Sequence, residues 1–216
     1  MFSETTQNVP TCVQSVKMER YYRLHSHIYD YTRWSFLFGR KKVIVMAADF
    51  VKPRRILEIG CGTGANLDTL AKTFPDASIT GVDISDSMLN KSRRLLEKHG
   101  SRIELLNYNY NRPLRRGEYD LVLFSYTLTM INPGWQEALN AANADLSTGG
   151  CLAVVDFHRG GTSWFSGWMG VNHVRMEGEL LPRLKQSFNP LFLSAPKAYG
   201  GLWQYFYFIG NKRIGA

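Results

Sequence analysis

From residue 55 onward, short apolar runs alternate with longer stretches of helical period. The runs Arg55–Ile59, Ser78–Asp83, Ile103–Asn107, Leu121–Ser125 and Cys151–Phe157 are rich in Ile, Leu and Val and are bounded by Gly, Pro, Asn or Asp, which predicts strands. Helices are predicted between them, near Gly64–Phe74, Ser87–Lys98 and Gly134–Leu146. Strands joined through helices pair in parallel, so the chain reads as an α/β protein with a doubly wound sheet. Ahead of this core, residues 16–50 have helical composition with a break near Gly39, predicting two helices. Residues 1–15 are polar, carry Pro10 and show no period, which predicts a flexible end. Past Phe157 the alternation changes. A Gly- and Trp-rich segment, RGGTSWFSGWMG, leads to a helix around Glu177–Phe188 and two last strands near Leu191–Ala195 and Trp203–Ile209. No internal repeat or low-complexity tract interrupts the chain.

With 216 residues and 44% apolar content, the chain supports one substantial core. The expected organisation is a single domain over 16–216, with a helical cap at 16–50, a ligand-binding core at 51–158, and a substrate-side loop and hairpin at 159–216. The net charge of +8 favours an anionic partner, a lipid surface or a nucleic acid, and does not choose between them. No apolar run is long enough to span a bilayer, and the amino terminus lacks a signal peptide's layout, so a cytoplasmic location is expected. Cys12, Cys61 and Cys151 are scattered, with neither a zinc spacing nor a disulfide framework, and no metal is expected.

The stretch Glu58–Leu67 carries the most chemistry. Gly60, Gly62 and Gly64 follow a predicted strand and open a predicted helix, and Asp83 ends the next strand. Glycines allow a tight turn and a close ligand approach, while an acid at that strand end accepts both hydroxyls of a ribose. Gly60, Gly62 and Ala65 also satisfy the dinucleotide pattern G-x-G-x-x-G/A. Glu58 argues against that ligand, because a carboxylate at the mouth of the turn repels a pyrophosphate and suits the ammonium of a methionine moiety. The expected cofactor is therefore S-adenosylmethionine. In a doubly wound sheet, Glu58, Asp83, Asn107–Asn109 and Ser125 converge at the carboxyl ends of the strands.

The segments LEIGCGTG at 57–64, ITGVDISDSML at 79–89, YDLVLFSYTLTM at 119–130 and LSTGGCLAVVDF at 146–157 resemble the class I S-adenosylmethionine-dependent methyltransferases. The resemblance implies a seven-stranded, mostly parallel sheet whose final strand runs antiparallel. It also implies cofactor contacts at Glu58, Gly60, Cys61, Gly62, Gly64, Asp83, Ile84, Met88 and Ser125. Many members place an acid after the third strand to meet the adenine amino group, and here Asn109 stands there, with Tyr108 as the competing alignment. Two further segments, YYRLHSHIYDYTRWSFLFGRKK and SYTLTMINPGWQEAL, resemble the betaine-lipid methyltransferases, which trimethylate diacylglyceryl-homoserine. Related phospholipid and quinone methyltransferases carry a similar amino-terminal element, in which Tyr29 also meets the cofactor.

Methylating an amine requires its neutral form and an aligned approach. Tyr29, His25 and Tyr126 are the candidate catalytic residues, and His158, after the fifth strand, is a further one lining the substrate site. Tyr22, Tyr29, Tyr126 and Trp34 suit the face of a methylated cation, although Tyr21, Tyr22, Tyr29 and Tyr31 equally fit the packing face of a helix. Arg33, one helical turn after Tyr29, is the first candidate for a substrate carboxylate, ahead of Arg23 and Arg159. Trp164, Phe165, Trp168 and Met169, with the basic region 20–42, suit an anionic membrane surface or a loop folded over the site. Other readings are a phosphatidylethanolamine or quinone methyltransferase, aminocarboxypropyl transfer, and a cofactor-sensing or nucleic-acid-binding module.

Overall fold

The computed structural model describes residues 37–131, 133–160 and 178–213. Its strands are β1 (Arg55–Ile59), β2 (Ser78–Asp83), β3 (Ile103–Asn107), β4 (Tyr119–Ser125), β5 (Leu146–Gly160), β6 (Phe188–Ser194), β7 (Lys197–Ala198) and β8 (Trp203–Lys212). They form one sheet in the order β3-β2-β1-β4-β5-β8-β6, with β7 beside β8. Strands β1 to β5 pair in parallel, and β8 runs antiparallel between β5 and β6. This is the expected doubly wound, mostly parallel sheet. Seven strands form its path, and among the described residues the two-residue β7 adds an eighth beside β8.

Helices α1 (Arg40–Ala47), α2 (Ala65–Thr73), α3 (Asp86–Leu96), α4 (Trp135–Asp145) and α5 (Leu180–Ser187) accompany the sheet. The central strands are covered on both faces, which is why β1 and β4 read as continuous apolar runs, whereas the edge strand β3 is only partly buried. Leu57, Ile59, Phe124, Leu139, Leu184 and Phe206 belong to one core cluster on the α4 and α5 side. The first three strands begin and end where the apolar pattern placed them. Strand β5 runs longer at both ends: Leu146 pairs with Tyr119 of β4, and the antiparallel partner β8 continues the ladder to Gly160.

Two turns position the ends that matter. Gly39 sits at φ 78 just before α1, and a Cβ there would fall on the Tyr207 side chain; the helix expected ahead of it lies outside the described residues. Helix α3 is capped by Ser85, whose Oγ accepts the Met88 N–H at 3.4 Å. Among the described residues, no helix is long and apolar enough to cross a membrane.

Candidate functional site

The carboxyl ends of β1 and β2 are joined by the backbone. Gly60 N–H and Cys61 N–H both donate to Val82 O, at 2.8 and 3.0 Å. The turn that follows holds Gly60, Gly62 and Gly64 at φ 69, 54 and 85, a left-handed run that residues with a Cβ resist. The Asp83 carboxylate closes this turn, accepting Gly62 N–H on Oδ2 at 2.8 Å and Ser85 N–H on Oδ1 at 2.9 Å. Each oxygen keeps acceptor capacity for a further donor, which is what a ribose diol requires. Ile84, beside it, is 40% exposed and offers an apolar surface next to the acid.

Glu58 is buried at 1% exposure on β1. Its Oε1 accepts from Asn66 Nδ2 at 2.7 Å, and Asn66 Oδ1 accepts from Arg40 Nε at 3.2 Å. Ser125, at the end of β4, is 4% exposed, and its Oγ has no hydrogen-bond partner among the described residues. A buried carboxylate, an acid aligned by backbone amides, an exposed aliphatic face and an orphaned hydroxyl at neighbouring strand ends fit an adenosine that carries an ammonium group. Cys61 and Met88 are buried; Cys61 Sγ lies 3.2 Å from where a Cβ on Gly81 would stand.

The loop after β3 borders the same site. Tyr108 N–H donates to Asp83 O at 3.1 Å, and the Tyr108 hydroxyl accepts from Arg112 Nε and donates to Arg112 O, both at 3.3 Å. Asn109 is exposed. The loop is anchored by Asp145, whose carboxylate accepts from the Tyr110 hydroxyl at 2.8 Å, Leu114 N–H at 2.8 Å and Arg115 N–H at 2.9 Å. Sequence reasoning missed Asp145, which sits at the end of α4 far along the chain and has no motif of its own.

Beyond the end of β4, Tyr126 sits at φ 55, a strained value for a residue with a Cβ. Three contacts hold it: its N–H donates to Val155 O at 2.8 Å, its hydroxyl donates to Phe38 O at 2.9 Å, and its ring meets Phe157 edge to face at 4.7 Å. Burial pushes the phenol well above its ordinary value, so it stays protonated and serves as an anchor. Thr127 Oγ1 donates to Ile59 O at 3.0 Å, and its methyl and hydroxyl stand 2.7 Å from where a Cβ on Gly60 would be. His158 lies where the β5–β8 register shifts, between Phe157 and Arg159. Its Nδ1 is buried without a partner among the described residues, and its ring sits edge-on to Phe206 at 6.1 Å. Burial and the neighbouring Arg159 lower the imidazole below its ordinary value, which favours the neutral base. Tyr22, His25, Tyr29, Arg33 and the aromatic segment Trp164–Met169 lie outside the described residues. Among the described residues, no group of three His, Cys, Asp or Glu side chains is placed to hold a metal.

Residues 56–150, under half of the chain, match the family model of the methyltransferase domain. A malonyl-[acyl-carrier protein] O-methyltransferase of Geobacter sulfurreducens is 36% identical over 97 residues, covering 44% of this chain and 36% of that protein. A trans-aconitate 2-methyltransferase of Pseudomonas paraeruginosa is 31% identical over 118 residues, 54% of this chain and 41% of its own length. The matched region thus spans about two fifths of these curated relatives. Among solved structures, the 1,6-didemethyltoxoflavin-N1-methyltransferase of Burkholderia thailandensis, bound to S-adenosylhomocysteine, superposes with a TM-score of 0.73 at 15% identity. That superposition covers 98% of this chain and 94% of the other. The N-methyltransferase NodS of Bradyrhizobium japonicum, also with S-adenosylhomocysteine, gives 0.67 at 15% identity over 81% and 86%. These likenesses concern the fold.

Proposed function

We propose that this class I S-adenosylmethionine-dependent methyltransferase methylates the amine of a membrane-lipid head group, converting diacylglyceryl-homoserine to diacylglyceryl-trimethylhomoserine in three transfers. The observation that carries the reading is the position of Ser125–Leu139, one of the two stretches that resemble betaine-lipid methyltransferases. It leaves β4 directly beside the glycine turn, where Thr127 packs on Gly60. The acceptor-side resemblance therefore falls on residues that adjoin the cofactor side. The +8 charge agrees with an anionic surface.

When bound, the cofactor supplies an electrophilic methyl group. The chain's own residues do the rest. Glu58, oriented by Asn66, receives the ammonium, Asp83 receives the ribose hydroxyls, and Ile84 faces the base. Ser125 Oγ, buried and unpartnered among the described residues, donates to or accepts from the ligand at the end of β4. His158, kept neutral, takes the proton released by the lipid amine at Nδ1. His25 and Tyr29 remain alternatives for that role, Tyr22 lines the methylated nitrogen, and Arg33 meets the substrate carboxylate, while Tyr126 serves as a buried anchor. Asn109 accepts from the adenine amino group, with Tyr108 as its alternative.

The test is mass spectrometry of diacylglyceryl-homoserine in mixed micelles incubated with protein and S-adenosylmethionine, with phosphatidylethanolamine as competitor. Successive gains of one, two and three methyl groups on the homoserine lipid support the reading. Gains on the phospholipid alone move the acceptor to phosphatidylethanolamine, and no gain on either lipid overturns lipid N-methylation.

A further inference from the structure

Among the described residues three carboxylates are buried, Glu58, Asp145 and Asp156. Glu58 belongs to the cofactor side and Asp145 holds the loop after β3. Asp156, with no exposed surface, has no part in the reaction above. It lies one residue before the end of the buried part of β5 and accepts four hydrogen bonds. Leu128 N–H reaches Oδ2 at 2.9 Å and Thr129 N–H at 3.3 Å, while the Thr129 hydroxyl reaches Oδ1 at 2.5 Å and Phe157 N–H at 2.8 Å. No ion pair to it occurs among the described residues, so these donors alone offset its desolvation. All four partners are donors, which suits an acceptor-only group. An Asn of the same shape would turn an NH2 toward one of them.

Three of the four bonds end on Leu128 and Thr129, in the turn that leaves β4. The residue before them, Thr127, bonds Ile59 O and occupies the space beside Gly60. The contacts therefore run without a gap from β5, through the turn after β4, to the glycine turn between β1 and α2. We infer that Asp156 is a positioning residue: it pins the 126–129 turn so that Thr127 braces the Gly60 turn, which sets the spacing between the acceptor side and the cofactor side of the cleft. The inference rests on the methyl-transfer reading, where an aligned displacement tolerates little misplacement of its two sides.

The experiment uses the full chain and the variants Asp156→Asn, Thr129→Val and Thr127→Val, singly and combined, with S-adenosylhomocysteine as the probe. Circular dichroism establishes that each variant is folded at the assay temperature. Thr129→Val and Asp156→Asn should each weaken binding by roughly three- to tenfold. Thr127→Val should add less in either background than it costs alone, because one relay is broken once. Amide exchange of ligand-free protein at Gly60 and Cys61 should speed up by about tenfold in Asp156→Asn. This last measurement needs neither lipid nor cofactor, so it separates failure of the relay from failure of the proposed activity. Lower melting temperatures with unchanged affinity, fully additive effects of Thr127→Val, or unchanged exchange at Gly60 and Cys61 would overturn the inference in favour of a stability role alone.

Discussion

Asn66 donates to Glu58 Oε1 at 2.7 Å while accepting from Arg40 Nε at 3.2 Å, so one neutral amide links the cation that opens α1 to the carboxylate inside β1. The amide holds a buried carboxylate in a fixed direction, which the role proposed for Glu58, receiving an ammonium group, requires.

If Glu58 takes the ammonium of the cofactor, its charge matters only to ligands with that group. Glu58→Gln should weaken S-adenosylhomocysteine by roughly ten- to hundredfold and leave adenosine nearly unchanged. Asn66→Ala should do the same to a smaller extent. Calorimetric titration with both ligands checks this, and an equal loss for adenosine would remove the assigned role.

Gly60→Ala places a Cβ 2.7 Å from both Thr127 Cγ2 and Oγ1, at a φ of 69. Clash and left-handed backbone together should cost about 2–4 kcal/mol of stability. Adding Thr127→Ala should restore the steric part and leave the conformational part, so urea denaturation of the double variant should fall between wild type and Gly60→Ala.

His158 is held neutral by burial and by Arg159, below its ordinary value of 6.5. As the proton acceptor it should support methyl transfer without an acid limb down to about that pH. His158→Asn should lower kcat by roughly a hundredfold or more while leaving S-adenosylhomocysteine affinity unchanged. A pH profile and a binding titration on the same variant decide the matter.

Burial raises Asp156 from 3.8 to about 6, so the folded protein holds this proton more tightly than the unfolded chain. The group's favourable contribution is complete below the unfolded value and is lost as pH rises through about 6. The loss amounts to on the order of 3 kcal/mol. Asp68 behaves oppositely: Lys72, Lys98 and His99 hold its carboxyl well below the usual range, and its contribution is lost only in stronger acid. The stability gap between wild type and Asp156→Asn should therefore narrow from pH 4.5 to pH 7.5. Denaturation curves at both pH values measure it.

The glycine turn and the acids beside it were legible because they are local. Glu58, Gly60, Gly62 and Gly64 lie within seven consecutive residues, and Asp83 ends the next strand, so a strand, a turn and a helix bring them together whatever the rest of the chain does. The strand bounds of β1 and β2 were legible for a related reason, since strands buried on both faces must be apolar throughout. Strand β7 was not legible: two residues carry no period, and only pairing with β8 defines them. Thr127, Asp145 and Asp156 escaped notice because the partners that tie them to other elements lie 27 to 68 positions away, and neither composition nor spacing records such pairs.

Tyr126 shows the division most directly. Its place after a buried strand was written in the chain, and with it the expectation of a ligand-facing aromatic. Whether its hydroxyl faces a substrate or a carbonyl depends on where Phe38, 88 residues earlier, returns over β4. By itself the sequence determined the layered α/β order, the glycine turn and its acids, because apolar period and backbone freedom act over a few residues. Only the tertiary structure decided which buried polar groups are paired and which, like Ser125 Oγ and His158 Nδ1, lack a partner among the described residues. Hydrogen bonding inside a core is settled by neighbours that the fold, not the chain order, supplies.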